Sequence, residues 1–128
     1  MQNTCLEMLE LFAGWVPDYL RKHPACPELQ YYGTGEADHW PVQTNMNVCA
    51  ALAVLGTEPG RENQELIDTA LSLFRYAMRT HRTGDLACTC GSQWGYHWIS
   101  VLGAERMTHG VNALMPYMTS DDLERYRR

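Results

Sequence analysis

Residues Met46–Leu55 read MNVCAALAVL, a run of ten without one charged side chain. The run lies in a helical segment that we place at Gln43–Leu55, with Gly56 as the residue that ends it. A helix that is apolar on every side is buried on every side. The sequence therefore predicts a helix enclosed by the rest of the domain.

Helices with a charged face and helices almost without charge alternate along the chain. Apolar residues at helical spacing predict a charged first helix over Gln2–His23, a charged third over Glu62–His81 and a nearly uncharged fourth over Gln93–Met118. Thr119 and the acidic residues after it predict a fifth helix, which we expect to continue past Arg128. In a simple four-helix bundle, by contrast, every helix would carry a similar apolar stripe.

The expected fold class is therefore all-α, with residues 1–128 as a single domain of four to five helices. The alternation predicts antiparallel helical hairpins that form part of an incomplete α/α toroid, in which outer helices face water and inner helices pack together. Gly95, Gly103 and Gly110 recur every seven or eight residues in the fourth helix. This spacing predicts that another helix approaches closely on that side.

A long loop rich in aromatic residues is predicted over residues 24–41, between the first two helices. Loops longer than about 12 residues are more often functional or disordered than idle, and aromatic content argues against disorder. We therefore expect this loop to contribute to a binding site. Its aromatic residues are Tyr31, Tyr32 and Trp40.

The composition excludes several classes of protein. Ten basic residues against fifteen acidic ones give a formal net charge of −5, which argues against a general nucleic-acid binder. The longest uncharged stretches, Trp40–Thr57 and Leu86–Ala104, are interrupted by amides, Ser, His and Gly, so we expect buried helices and no membrane span. The first residues do not form a signal peptide, and five cysteines at irregular spacing predict free thiols. As given, the sequence is expected to be cytoplasmic.

Three stretches resemble the N-terminal α/α-toroid region of heparinase II/III-like proteins, a broad group of polysaccharide lyases. They are the stretch from Tyr31 to Asn45, the stretch GSQWGYHWIS over residues 91–100, and LGAERM with HGV over residues 102–111. The resemblance implies that the chain is a fragment of a longer protein with a β-sandwich region, inactive by itself. It also implies an acidic polysaccharide as partner, no cofactor, and relatives that are secreted or periplasmic.

Eliminative cleavage next to a uronic acid requires a base, a proton donor for the leaving sugar, and groups that stabilise charge on the carboxylate. We assign the catalytic roles to His97, His109, Arg106 and Tyr96. Glu105, Arg106 and His109 are neighbours on the fourth helix at spacings of three and four. The expected substrate-binding residues offer stacking surfaces and polar contacts: Tyr31, Tyr32, Glu36, His39, Trp40, Asn45, Asn47, Trp94 and Trp98.

Other interpretations stay open. Glu36 and Asp38 suit the paired carboxylates of a toroid glycoside hydrolase. Trp94 and Trp98 suit core packing, and Asn45 suits a helix N-cap. Cys88 and Cys90 lack standard zinc-site spacing, so no metal is expected. Finally, a non-catalytic helical module would bury an exposed apolar face of the incomplete toroid against a partner or against a second copy of itself.

Overall fold

The computed structural model describes residues 2–128. They form a mostly helical domain with one small antiparallel hairpin, so the all-α expectation is right in outline and wrong in one detail. The elements in chain order are α1 (Gln2–Tyr19), β1 (Leu20–His23), β2 (Cys26–Tyr32), α2 (His39–Gly56), α3 (Gln64–Thr80), α4 (Trp98–Leu114), a 3-10 turn (Met115–Tyr117) and α5 (Ser120–Arg127).

Helix α2 is the centre of the fold, as its uncharged sequence predicts. It packs against α4, α3, α1 and the hairpin, and the side chains of Met46, Cys49, Leu52 and Ala53 are buried. The helix begins at His39, four residues before the predicted start at Gln43. The cause is a side-chain cap, because the Asp38 carboxylate accepts a hydrogen bond from the His39 N–H at 2.8 Å.

Helices α2 and α4 run parallel and nearly touch, because two glycines on α4 leave room for α2. A Cβ at Gly103 would lie 2.7 Å from the Met46 sulfur, and one at Gly110 would lie 2.6 Å from the Cα of Ala50. Gly103 lies against Met46, and the later Gly110 lies against the later Ala50, so the two helices run in the same direction. The predicted close approach is confirmed for these two glycines.

The first helix ends at Tyr19, and the chain then enters the hairpin that the sequence analysis did not predict. Leu20 pairs with Tyr32, and Lys22 pairs with Gln30. On β2, Leu29 and Tyr31 alternate toward the core, and tyrosines favour strands. The hairpin removes residues 26–32 from the predicted loop, which is therefore much shorter than residues 24–41.

The fourth helix begins at Trp98 instead of Gln93, and Pro116 lies in the 3-10 turn that follows it. Residues 93–97 are not helical because Trp94 pairs with His81 in a parallel bridge and Gly95 adopts a φ of +112°. That backbone conformation favours glycine. A Cβ at Gly95 would also lie 2.5 Å from the His81 ring.

Helix α5 is held in place by its first turn. Thr119 and Asp122 form a capping box at the predicted helix start, and the Asp122 carboxylate also accepts two hydrogen bonds of 2.8 Å from the Arg75 guanidinium of α3. Burial alone would raise the pKa of Asp122, but Arg75 and the Thr119 N–H lower it overall. This buried carboxylate therefore ties the last helix to the core.

Candidate functional site

Two His-Trp pairs begin the two central helices. His39 and Trp40 are the first two residues of α2. His97 occupies the N-cap position of α4, without a hydrogen bond from its side chain to the helix end, and Trp98 is the first residue of α4. Because α2 and α4 run parallel and side by side, their N-terminal ends lie together. The imidazole rings of His39 and His97 meet edge to face, with centroids 4.4 Å apart. The fold thus brings into contact two side chains that are 58 positions apart in the sequence.

An open cleft of about 880 Å³ lies against these helix ends. Tyr96 and His97 form one part of its wall, and Asp38 forms another. The remaining lining comes from the loop between α3 and α4, at residues 85–87 and 90–93. A cleft of this size accommodates a small ligand or part of a longer chain.

The loop that lines the cleft is fixed to the segment before α2 by hydrogen bonds. The Thr89 N–H donates to the Gly35 carbonyl at 2.9 Å, and the Thr89 hydroxyl donates to the Thr34 carbonyl at 2.9 Å. The Ala37 N–H donates to the Cys90 sulfur at 3.4 Å. Backbone N–H groups of Ala37 and Ser92 lower the pKa of the Cys90 thiol. These hydrogen bonds hold residues 89–90 of the lining loop against residues 34–37 before α2.

Two carboxylates, Asp38 and Asp85, line the cleft, and one arginine contacts a residue of its wall. The Arg82 guanidinium lies over the Tyr96 ring, 5.2 Å from its centroid, in a cation–π contact. Asp85 is neutralised by Arg79 at 2.9 Å and by Arg125 at 3.2 Å, and Arg79 is the main reason why the pKa of Asp85 is lowered. Arg82 was not among the predicted site residues, because nothing in its position after α3 signals a contact with Tyr96.

The predicted aromatic residues separate into an exposed group and a buried group. Trp40 is 68% exposed and Trp98 is 73% exposed, both at the helix ends beside His39 and His97, and Tyr96 is exposed as well. Trp94 is buried instead, and its indole N–H donates to the Ala77 carbonyl at 2.9 Å. Core packing, the alternative considered for both tryptophans, is therefore right for Trp94, which precedes α4, and wrong for Trp98.

The predicted tyrosines of the aromatic loop lie in the hairpin. Tyr31 is buried against Tyr76, with ring centroids 5.0 Å apart, so the structure places it in the core. Tyr32 packs against Tyr19 at 5.8 Å. Glu36 is exposed and accepts a hydrogen bond from the Thr34 hydroxyl. Of these residues, only Glu36 is open to solvent near the cleft-lining segment.

Asn45 connects three elements of the core. Its side-chain oxygen accepts from the Tyr32 N–H at 2.9 Å, and its amide nitrogen donates to the Leu73 carbonyl at 3.3 Å. The N-cap role considered for Asn45 is wrong, because Asp38 caps α2. Asn47 is half-buried one half-turn further along the helix. These contacts favour a structural role for Asn45.

Two of the four predicted catalytic residues, Arg106 and His109, lie far from the cleft. Arg106 and His109 are exposed on α4, about 13 Å and 18 Å along the helix axis from His97 at the usual rise per residue. Glu105, their neighbour on the same helix, is exposed too. The structure brings His39 into contact with His97, places Tyr96 and His97 in the cleft wall, and leaves Arg106 and His109 apart from them.

Two buried polar atoms near the helix ends find no hydrogen-bond partner among the described residues. They are the Nδ1 atom of His39 and the Oε1 atom of Gln43. Within residues 2–128, no group of three or more His, Cys, Asp or Glu side chains is placed to hold a metal ion. No helix in the same range is both long and apolar enough to cross a bilayer.

The chain matches no protein-family model, no curated protein and no solved structure.

Proposed function

We propose that this chain carries the saccharide-binding cleft of a heparinase II/III-like protein and that an acidic polysaccharide binds there. In this proposal α2 and α4 are neighbouring inner helices of an α/α toroid. The observation that carries it is the contact between His39 and His97 at the cleft, with exposed Trp40 and Trp98 at the same helix ends. Exposed tryptophans offer flat apolar surfaces on which sugar rings stack.

Several groups favour a carboxylate-bearing sugar. Arg82 is a cation beside the cleft, and the N-termini of α2 and α4 point their positive dipole ends toward the same region. Asp85, the second carboxylate in the lining, is already paired with two arginines. Asp38, the other carboxylate in the lining, has no arginine partner among residues 2–128, so an anionic ligand meets one uncompensated carboxylate there. Arg82 and the two helix N-termini oppose that single charge.

The residues at the cleft also support β-elimination. His97 would remove the proton from the carbon next to the carboxylate, while Arg82 stabilises the negative charge that develops on the carboxylate. The electron pair then forms the new carbon–carbon double bond, and the bond to the leaving sugar oxygen breaks. Tyr96 would donate its hydroxyl proton to that oxygen and regain a proton from water. His39 would orient the His97 ring through their edge-to-face contact.

The test begins with binding, measured by calorimetry with oligosaccharides that contain uronic acid. We expect His97→Gln and Arg82→Gln to weaken binding about tenfold or more, because a hydrogen bond to a charged group contributes about 1.5–3 kcal/mol. His109→Gln is the matched control, since it replaces an exposed histidine of α4 outside the cleft. Ultraviolet absorbance of the new double bond then reports elimination.

A toroid glycoside hydrolase is the second candidate, favoured by the position of Asp38 in the cleft lining. It would release reducing ends without the ultraviolet signal. Asp38→Asn and Glu36→Gln would then abolish the activity, whereas His97→Gln would leave it. Asp38 is already used as the cap of α2, which is why elimination is the preferred reaction.

A further inference from the structure

Helix α1 is apolar on two different faces. One face packs on the core through Leu6, Leu9, Ala13 and Val16. At 100° per residue, a second group of large apolar side chains forms a stripe about 100° wide, centred roughly 120° away from the first. All are exposed to solvent. We call this second group the α1 stripe: Met8, Leu11, Phe12, Trp15 and Tyr19.

The α1 stripe exposes an unusually large apolar area. Met8 is 65% exposed, Leu11 72% and Trp15 69%. Since a large aromatic residue buries about 150–250 Å² when fully covered, the stripe holds on the order of 500 Å² of exposed side chain. Contiguous apolar patches beyond a few hundred Å² mark interaction sites. With its flanking residues, this patch approaches the roughly 800 Å² per partner of a standard interface.

The charges around the stripe argue against a membrane surface as its occupant. The charged residues of α1 are all acidic: Glu7, Glu10 and Asp18. Helices that lie on bilayers carry Lys and Arg on their polar face, because they are attracted to anionic lipids. Helix α1 has the opposite sign of charge, so a lipid surface does not fit.

The same charges fit a second copy of this chain in antiparallel orientation. Glu7 lies in the first half of α1, while Arg21 and Lys22 follow its end directly. Arg21 folds back on the helix end, where it donates to the Asp18 carbonyl at 2.9 Å. In an antiparallel pair, Glu7 of one copy would therefore lie near Arg21 and Lys22 of the other. Asp18 would lie near Glu10, whose carboxylate is already paired with Arg61.

We propose that the α1 stripe is the contact face of a symmetric homodimer in which two α1 helices pack antiparallel. The two-fold axis passes the middle of the helix, so Met8 of one copy lies opposite Tyr19 of the other. Such an interface uses the same patch on both copies and closes on itself. The inference is independent of the saccharide proposal, because the stripe shares no residue with the cleft.

Sedimentation equilibrium of the purified chain at about 1–100 μM, the range where modest interfaces of this size associate, tests the proposal. We expect a species of twice the 14.6 kDa chain mass. Leu11→Gln/Trp15→Gln should raise the dimer dissociation constant at least about thirtyfold, because buried tryptophans dominate interface energies. The matched control is Val101→Gln/Trp98→Gln, a similarly exposed pair on α4, which should leave the dimer unchanged.

Circular dichroism melting checks that both double variants keep the fold. We expect them to do so, because all four replaced side chains are exposed. A chain that stays monomeric throughout this range overturns the proposal. A dimer that survives Leu11→Gln/Trp15→Gln, or one that is lost only in the α4 control, also overturns it. Neither result bears on saccharide binding, which calorimetry reports separately.

Discussion

Replacing Gly110 with alanine should destabilise the protein, although alanine is the better helix former. The new Cβ would lie 2.6 Å from the Cα of Ala50 and 3.2 Å from its Cβ, where ordinary contacts begin at 3.4 Å. The obstacle is the backbone of the central helix, which cannot rotate away. The parallel helices α2 and α4 must therefore separate by about 0.8 Å, or the new side chain stays strained.

The magnitude follows from two opposing contributions. Overpacking a well-filled contact costs about 1–3 kcal/mol, while replacing a helical glycine by alanine stabilises by about 1 kcal/mol. The difference means that Gly110→Ala should lower the free energy of unfolding by up to about 2 kcal/mol. For a chain of this length, that corresponds to a fall in Tm of up to about 8 °C.

Gly14→Ala is the matched control, because Gly14 lies in α1 and nothing comes within 4 Å of the position that its Cβ would take. This variant should gain about 0.5–1 kcal/mol from helix propensity alone. Gly103→Ala should fall between the two, since its obstacle is the sulfur at the end of the flexible Met46 side chain. Urea unfolding gives all three values. If Gly110→Ala stabilises as much as Gly14→Ala, α2 and α4 are not in close contact.

Three further predictions concern stability and thiol reactivity. Asn45→Ala should destabilise by about 2 kcal/mol in thermal unfolding, because it removes the acceptor of the part-buried Tyr32 N–H and the second hydrogen bond of the Leu73 carbonyl; an unchanged Tm would refute the bridging role. The lowered pKa of Asp122 means that its pairing with Arg75 stabilises the fold above the ordinary carboxyl range and is lost as pH falls through that lowered value. In Asp122→Asn, the free energy of unfolding should therefore fall less steeply as the pH is lowered through the acidic range. An unchanged pH dependence would contradict this assignment. Iodoacetamide with mass mapping should label Cys90 well before Cys49, whose pKa burial raises to about 12, and equal labelling would show that Cys49 is accessible.

The features that the sequence could reveal depend on local pattern. The uncharged run of α2 predicts its central position, and the spacing of Gly103 and Gly110 predicts the close helix contact. The capping box at Thr119 predicts α5. Each of these signals is carried by residues within one helix, where periodicity and caps act directly.

The features that the sequence could not reveal depend on contacts between distant segments. The hairpin forms because the side chains of Leu29 and Tyr31 are buried in the core. The spacing of apolar residues in the first helix, by contrast, predicts helix as far as His23. Trp94 lies outside the helix predicted for it because its indole N–H donates to the Ala77 carbonyl of α3. In the same way, only the parallel packing of α2 and α4 brings His97 to His39 and separates both from His109.

A fluorescence titration with a uronic-acid oligosaccharide tests the central proposal most directly, because Trp40 and Trp98 are exposed at the helix ends beside the cleft while Trp94 is buried. We predict a saturable change in tryptophan emission that Arg82→Gln weakens and that a neutral oligosaccharide of the same length does not reproduce. An emission spectrum that stays constant with every acidic oligosaccharide, or a response equal for neutral sugars and for the Arg82 variant, would contradict a site for acidic saccharides in this cleft.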